Sequence, residues 1–338
     1  MAFLNHPLGK LVISLLLLPV LAFVVVRFFR STWAELEADG LARRQALGRL
    51  DARVPVTLVL GALCLLLVNY FGDHQFFSRM IQPALERWGV RHPETIQMWR
   101  YSDLYWRVYW GVSRCTFYLL PLLVWPLVFR ESPLELGLRA RGFLEHAWIY
   151  LLCLVVVIPA LLVLAYTGEF GTYYPMYHTA TRSWLDLWVW EALYVGQFFA
   201  LEVFFRGFWL HGTRSLGVGA IFSMMPPYVM IHFPKPYLEA CGAIVAGVVL
   251  GSLSMRTRSI WAGFLVHSTV AILMDFIALH RRGALPLHLT PDSRVRLAFP
   301  YALHTLVAVW VLAAIGLIIL LRRKRRREQA DALRAQAA

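Results

Sequence analysis

The sequence predicts an all-α, polytopic membrane protein of about 8 to 9 transmembrane helices, and three observations carry that prediction. Apolar residues make up 59% of the 338 residues and mean hydropathy is +0.58, which leaves too little polar surface to cover a soluble globule of this size. Apolar runs of bilayer length recur along the chain. The net charge of +13 is almost all arginine, gathered between those runs, as expected where basic loops remain on the cytoplasmic side. With no aromatic-interleaved basic patch, that charge does not point to nucleic acid. Cys64, Cys115, Cys153 and Cys241 fall inside apolar runs without paired spacing, which argues against a disulfide framework or a thiolate zinc site.

The first span is expected from Leu11 to Phe29, longer than the apolar part of a signal peptide and without a small-residue cleavage site after it. Ser31 to Arg53 then reads as a charged cytoplasmic loop, with six arginines counted from Arg27. A second span is expected over about Val54 to Phe71. Gly72 to Trp106 mixes Arg, Glu, Trp and Tyr too densely to cross a bilayer and reads as an interfacial helix pair. A third span covers about Tyr109 to Phe129 and stops at Arg130-Glu131-Ser132-Pro133; a fourth covers about Phe143 to Tyr166. Tyr173, Tyr174, Pro175 and Tyr177 resemble an interfacial aromatic belt on the external side. The fifth helix, about Trp184 to Arg214, exceeds what the hydrocarbon requires.

A sixth span is expected from Leu216 to His232, with Pro226 and Pro227 kinking it and Phe233-Pro234-Lys235-Pro236 breaking it. The seventh, near Pro236 to Met255, is rich in small residues suited to close helix packing. The eighth covers about Ile260 to Leu279 and the ninth about Phe299 to Leu321, followed by the basic run Arg322 to Arg327, which places the C-terminus in the cytoplasm. No internal repeat or soluble segment divides the chain. It reads as one domain, in which residues 1–108 supply N-terminal helices, 109–280 the functional bundle and 281–338 a last helix and tail.

The candidate site starts with Glu202 and Arg206, which at helical spacing share a face and can pair. Ionisable groups at bilayer depth are rare and usually functional. Counted at about 1.5 Å per residue from the cytoplasmic helix ends, Glu202, His232, Glu239 and His267 reach overlapping depths, roughly 13 to 25 Å. A carboxylate and two imidazoles from separate helices could line one cavity and activate water, as general base or with a metal. Glu239 has a second reading, as a helix-terminal residue paired with Lys235. Asp275 could orient His267 or sit at the external interface. Tyr228 and His304 read as packing and hydrogen-bonding residues.

Three segments carry a resemblance. Glu202-Val203-Phe204-Phe205-Arg206-Gly207, then Tyr228-Val229-Met230-Ile231-His232, then Gly251 through Thr257-Arg258-Ser259-Ile260-Trp261 to His267 resemble the motifs of the CPBP family of intramembrane proteases, which includes type II CAAX prenyl endopeptidases and bacteriocin-processing and self-immunity proteins. Glu131 to Leu138 resembles the segment that commonly precedes that domain, so the likeness covers about residues 130 to 280. The chain departs from the family pattern at Leu201, where the first glutamate stands, at Ala271, where many members have asparagine, and at Tyr228, where the family has phenylalanine.

The resemblance implies a CPBP-like helical bundle with an intramembrane cavity and an endopeptidase activity on a membrane-associated protein or peptide. In it Glu202 would activate water, His232 and His267 would hold the water and stabilise the oxyanion, and Arg206 would hold Glu202 ionised or help bind substrate. Glu239 would be a possible second carboxylate. Glu202, His232 and His267 would ligate a divalent metal such as zinc if one is bound; a metal-free glutamate site is equally open. The alternative is a non-catalytic scaffold or immunity protein of the same fold, which Leu201 and Ala271 favour. A proton-coupled transporter lacks the repeats many transporters show. Either way the expected location is a cell membrane, as a multi-pass protein of the bacterial inner-membrane kind.

Overall fold

The structure, a computed structural model, describes residues 5–93, 97–140, 147–296 and 308–323. Among these residues it is helical throughout, without a strand, and six helices are long and apolar enough to cross a membrane. They are α1 (Pro7–Leu47), α2 (Arg53–Phe71), α4 (Met98–Phe129), α6 (Trp184–Gly212), α8 (Tyr237–Thr257) and α9 (Trp261–Arg281). Between them lie α3 (Gln82–Arg91), α5 (Ala147–Leu164) and α7 (Gly219–Met230). The final helix, α10, is described over 308–323; the first residues of its expected span lie outside the described residues. The protein is a helical, multi-pass membrane protein.

Three segments differ from the sequence expectation. Ser31 to Leu47 is not a loop: α1 runs on for 41 residues, because this charged stretch consists largely of good helix formers, has no proline, and finds partners. Arg44 donates to Ser215 O at 2.7 Å, Arg214 donates to Asp39 at 3.1 Å, and Val218 N donates to Glu37 at 3.2 Å. Gly40 permits the approach, since a Cβ there would stand 2.6 Å from Gly217 Cα. Likewise, the expected interfacial pair over Gly72 to Trp106 is one helical stretch from His74 to Arg91, and its second member is the start of α4, which enters the span without a break.

The expected sixth span is a 12-residue helix, about 18 Å long by helix rise and too short to cross a core of about 30 Å. Pro226 and Pro227 lie inside α7, and the chain leaves helical geometry before Pro236 as expected. Gly247 and Gly251 of α8 let α7 pack closely: Cβ atoms there would meet Tyr228 and Met224 at 3.2 and 3.1 Å.

At the centre stands α6, 61% of whose apolar window is buried against 11% for α1, on the outside of the bundle. Its Phe204, Phe205 and Phe208 join Tyr118 and Trp125 of α4 and Tyr228 of α7 in the main core. A second cluster gathers Trp110, Trp190, Tyr194 and Phe198 between α4, α6 and α9. The segment after α4 docks beneath: Gly207 of α6 lies against Leu136 O, Ile260 N donates to Gly137 O at 3.0 Å, and Trp261 Nε1 donates to Leu138 O at 2.8 Å. Glu131 anchors it, binding Arg53, Trp125 Nε1 at 2.9 Å and His211 Nε2 at 2.9 Å. Partial burial pushes the Glu131 carboxyl up, but these bonds outweigh it and bring it down from 4.5 to about 2.

Candidate intramembrane site

In α6 the hydrogen-bond ladder widens at Val203–Trp209 into a π-helical segment, immediately after Glu202. Such wide turns are uncommon and often mark functional sites. Glu202 and Arg206 nonetheless meet: Arg206 Nη1 is 3.3 Å from Glu202 Oε1, with both side chains 0% exposed. None of the Arg206 nitrogens makes a hydrogen bond. The guanidinium lies over the Tyr228 ring, 3.9 Å from its centroid, where the ring face supplies part of what water would.

His267 of α9 approaches the same carboxylate, its Nδ1 lying 3.0 Å from Glu202 Oε1. An ionised carboxylate can only accept, so Nδ1 carries the proton and Nε2 of the neutral ring is left as a base. The ring packs 4.2 Å from Phe198. Glycine at 263, one turn before His267, makes room for the pair: a Cβ there would overlap Glu202 Oε2 and lie 3.2 Å from Cδ.

His232 follows α7, its Nδ1 2.8 Å from Tyr228 O. A carbonyl also only accepts, so this imidazole presents Nε2 in the same way. Both imidazoles pack against Tyr228, His232 at 4.8 Å and His267 at 6.3 Å between centroids. The structure thus brings Glu202, Arg206 and His267 into direct contact and joins His232 to them through Tyr228.

A cavity of about 660 Å³ adjoins this cluster. His232 lines it, as do Gln197, Phe198 and Leu201 of α6, whereas Glu202 and His267 are not part of its wall. Leu201, which stands where the family has its first glutamate, faces the cavity, and Glu202 is sealed behind it. Glu239 accepts from Lys235 Nζ at 2.8 Å and from the Tyr174 hydroxyl at 2.6 Å, which matches the helix-terminal pairing. Asp275 is fully buried and accepts from Trp190 Nε1 at 2.6 Å; the carboxylate on His267 is Glu202. Ala271 is buried at the helical position of the family's asparagine.

Among the described residues no three His, Cys, Asp or Glu side chains are arranged to hold a metal ion. His267 uses Nδ1 on Glu202, and the Arg206 guanidinium beside the same oxygen opposes a second cation there. Gly263, Gln197 and the cavity arginines described below were not singled out by the sequence. The signals lay in spacing: Gly263 is four residues before His267 and Gln197 four before Leu201.

No curated protein and no solved structure is significantly similar to the chain. Residues 182–273, from the start of α6 into α9, match the family described as Type II CAAX prenyl endopeptidase Rce1-like. The match is narrower than the 130 to 280 suggested by the motifs, and it contains Glu202, Arg206, His232, Glu239 and His267. This similarity to the type II CAAX prenyl endopeptidase Rce1-like family, confined to residues 182–273, supports membership of the CPBP family.

Proposed function

We propose that the chain is an intramembrane endopeptidase that cleaves a membrane-associated protein or peptide with water activated by histidine. The observation that carries this reading is the bond between Glu202 Oε1 and His267 Nδ1, 3.0 Å long, with the Glu202 side chain fully buried. Glu202 fixes the tautomer and stabilises the imidazolium that forms. Water attacks the scissile carbonyl carbon, its proton passing to His267 Nε2. The tetrahedral intermediate then collapses with cleavage of the C–N bond, and the imidazolium returns the proton to the leaving amine. His232 Nε2 accepts from the water at the cavity wall, and the Gln197 amide donates to the oxyanion. Arg206 pairs with the Glu202 carboxylate. Glu202 acts through His267, since its own side chain is fully buried while the imidazole it holds is partly exposed.

We place the domain in a cell membrane with the C-terminus cytoplasmic, on the basic residues that follow the last helix. The test is hydrolysis of an internally quenched CAAX-type peptide, prenylated and unprenylated, by the purified protein in proteoliposomes. His267→Ala and His232→Ala should each lose roughly 10² to 10⁴ in rate. Combined, they should lose little more than either alone, because both act on one water. The non-catalytic scaffold is the second reading, favoured by Leu201 at the cavity wall; cellular function surviving the double substitution would select it.

A further inference from the structure

The cavity has a wall that peptide hydrolysis does not use. Arg107 and Arg114 of α4 both line it, with Trp110 between them. Seven residues apart, they share one helix face about 10 Å apart along the axis, and both precede the matched residues 182–273. The Arg114 guanidinium stacks 4.4 Å from the Trp110 ring and donates to Gly72 O at 3.0 Å. Among the described residues it has no carboxylate partner. Arg107 Nε stands 3.5 Å from Asp103 Oδ1, but without a hydrogen bond, and that nitrogen is buried. Its guanidinium lies 5.7 Å from the Trp190 ring, and Trp190 packs 5.7 Å from Trp110. The two cations therefore flank one aromatic pair.

The other charges around the cavity have partners of their own. Lys235 is held by Glu239, and Asp73, the one carboxylate in the wall, accepts from Phe76 N at 2.8 Å. On this wall, Arg107 has one carboxylate neighbour at 3.5 Å and Arg114 has no carboxylate partner among the described residues, so the two guanidiniums keep donors free for an oxyanion. A fork of guanidinium donors suits phosphate oxygens, and basic pockets between membrane helices take lipid headgroups. The rest of the wall, including Leu65, Val68, Met230 and Ile231, is apolar and continuous with the charged part. That combination matches an amphiphile.

The geometry points to this cavity as a binding site for a phosphate-bearing anion, the headgroup of an anionic phospholipid, with phosphate between Arg107 and Arg114 and acyl chain along the apolar wall. The reading does not rest on peptidase activity. It is tested on the purified full-length protein in neutral detergent, by native mass spectrometry with phosphatidylglycerol, phosphatidylcholine and inorganic phosphate. Wild type should prefer phosphatidylglycerol to phosphatidylcholine, and Arg107→Gln and Arg114→Gln should each weaken phosphatidylglycerol roughly tenfold or more, leaving phosphatidylcholine unchanged. Arg114→Lys, which keeps the charge and loses the fork, should fall between. If inorganic phosphate displaces the lipid with the same variant dependence, free phosphate fills the site as well; if it does not, the lipid is the source. Should one glutamine variant fail to fold, the other and the lysine variant carry the comparison. Equal affinity of wild type for the two lipids, or phosphatidylglycerol binding unchanged in the folded variants, overturns the assignment.

Discussion

Replacing Glu202 by glutamine removes one charge from a pair whose side chains are both 0% exposed and whose atoms stand 3.3 Å apart. At an effective dielectric of about 20, the attraction between unit charges at that distance is about 5 kcal/mol, and breaking a buried pair from one side costs roughly 3–5 kcal/mol because the other charge is left uncompensated. Among the described residues Arg206 has no alternative: its nitrogens make no hydrogen bond, and the Tyr228 and Phe205 rings lie beside it. Glu202→Gln should therefore destabilise the fold by about 3–5 kcal/mol as well as abolish catalysis. Glu202→Gln with Arg206→Met should recover most of the stability and none of the activity. The assay is unfolding in mixed detergent micelles, followed by tryptophan fluorescence, beside peptide hydrolysis. Glu202→Gln as stable as wild type would refute the reasoning, since Arg206 would then not depend on that carboxylate.

Gly263→Ala puts a methyl group into the space of the Glu202 carboxylate; it should destabilise by about 1–3 kcal/mol and reduce turnover more than substrate affinity, as steady-state kinetics would show. Gly40→Ala meets Gly217 backbone at 2.6 Å and should cost about 1–3 kcal/mol in the same unfolding assay, with catalysis intact. For Glu131, whose folded-state carboxyl titrates at about 2 against 4.5 unperturbed, the contribution is complete above about pH 4.5 and lost as pH falls towards 2. Glu131→Gln should therefore flatten the loss of stability between pH 5 and about 3 in an acid unfolding titration.

Much of the site could be read from the sequence because charge is so conspicuous in an apolar chain. Glu202 and Arg206 stand out by isolation, and His267 by its place on a helix that must pass at similar depth. Which face Glu202 takes was not legible: the π segment begins one residue later, and an ideal helix gives no warning of it. Leu201, alone in facing the cavity of this adjacent pair, could not be told from any other apolar neighbour. The continuation of α1 past Phe29 was hidden because arginine density argues for a cytoplasmic side as well in a helix as in a loop. Arg107 and Arg114 were masked by Trp and Tyr neighbours that read as an interface. Only the packing of α4 against α6 turns that face inward.

The wide turn at Val203–Trp209 has a further meaning for α6 as a whole. A turn of this kind holds one residue more than its neighbours, which is a phase slip of about 100° in an otherwise regular helix. Residues before it and residues after it therefore do not continue one stripe. The upper part turns Trp190, Tyr194 and Phe198 towards α4 and α9, while the lower part surrounds itself with Phe204, Phe205, Phe208 and Trp209 against α2 and α7. Such a helix can sit at the centre of the bundle with partners on all sides and still aim one carboxylate at a chosen neighbour. A single-residue deletion within the turn would leave the backbone hydrogen bonds regular and rotate one half against the other, parting Arg206 from Glu202 without removing either.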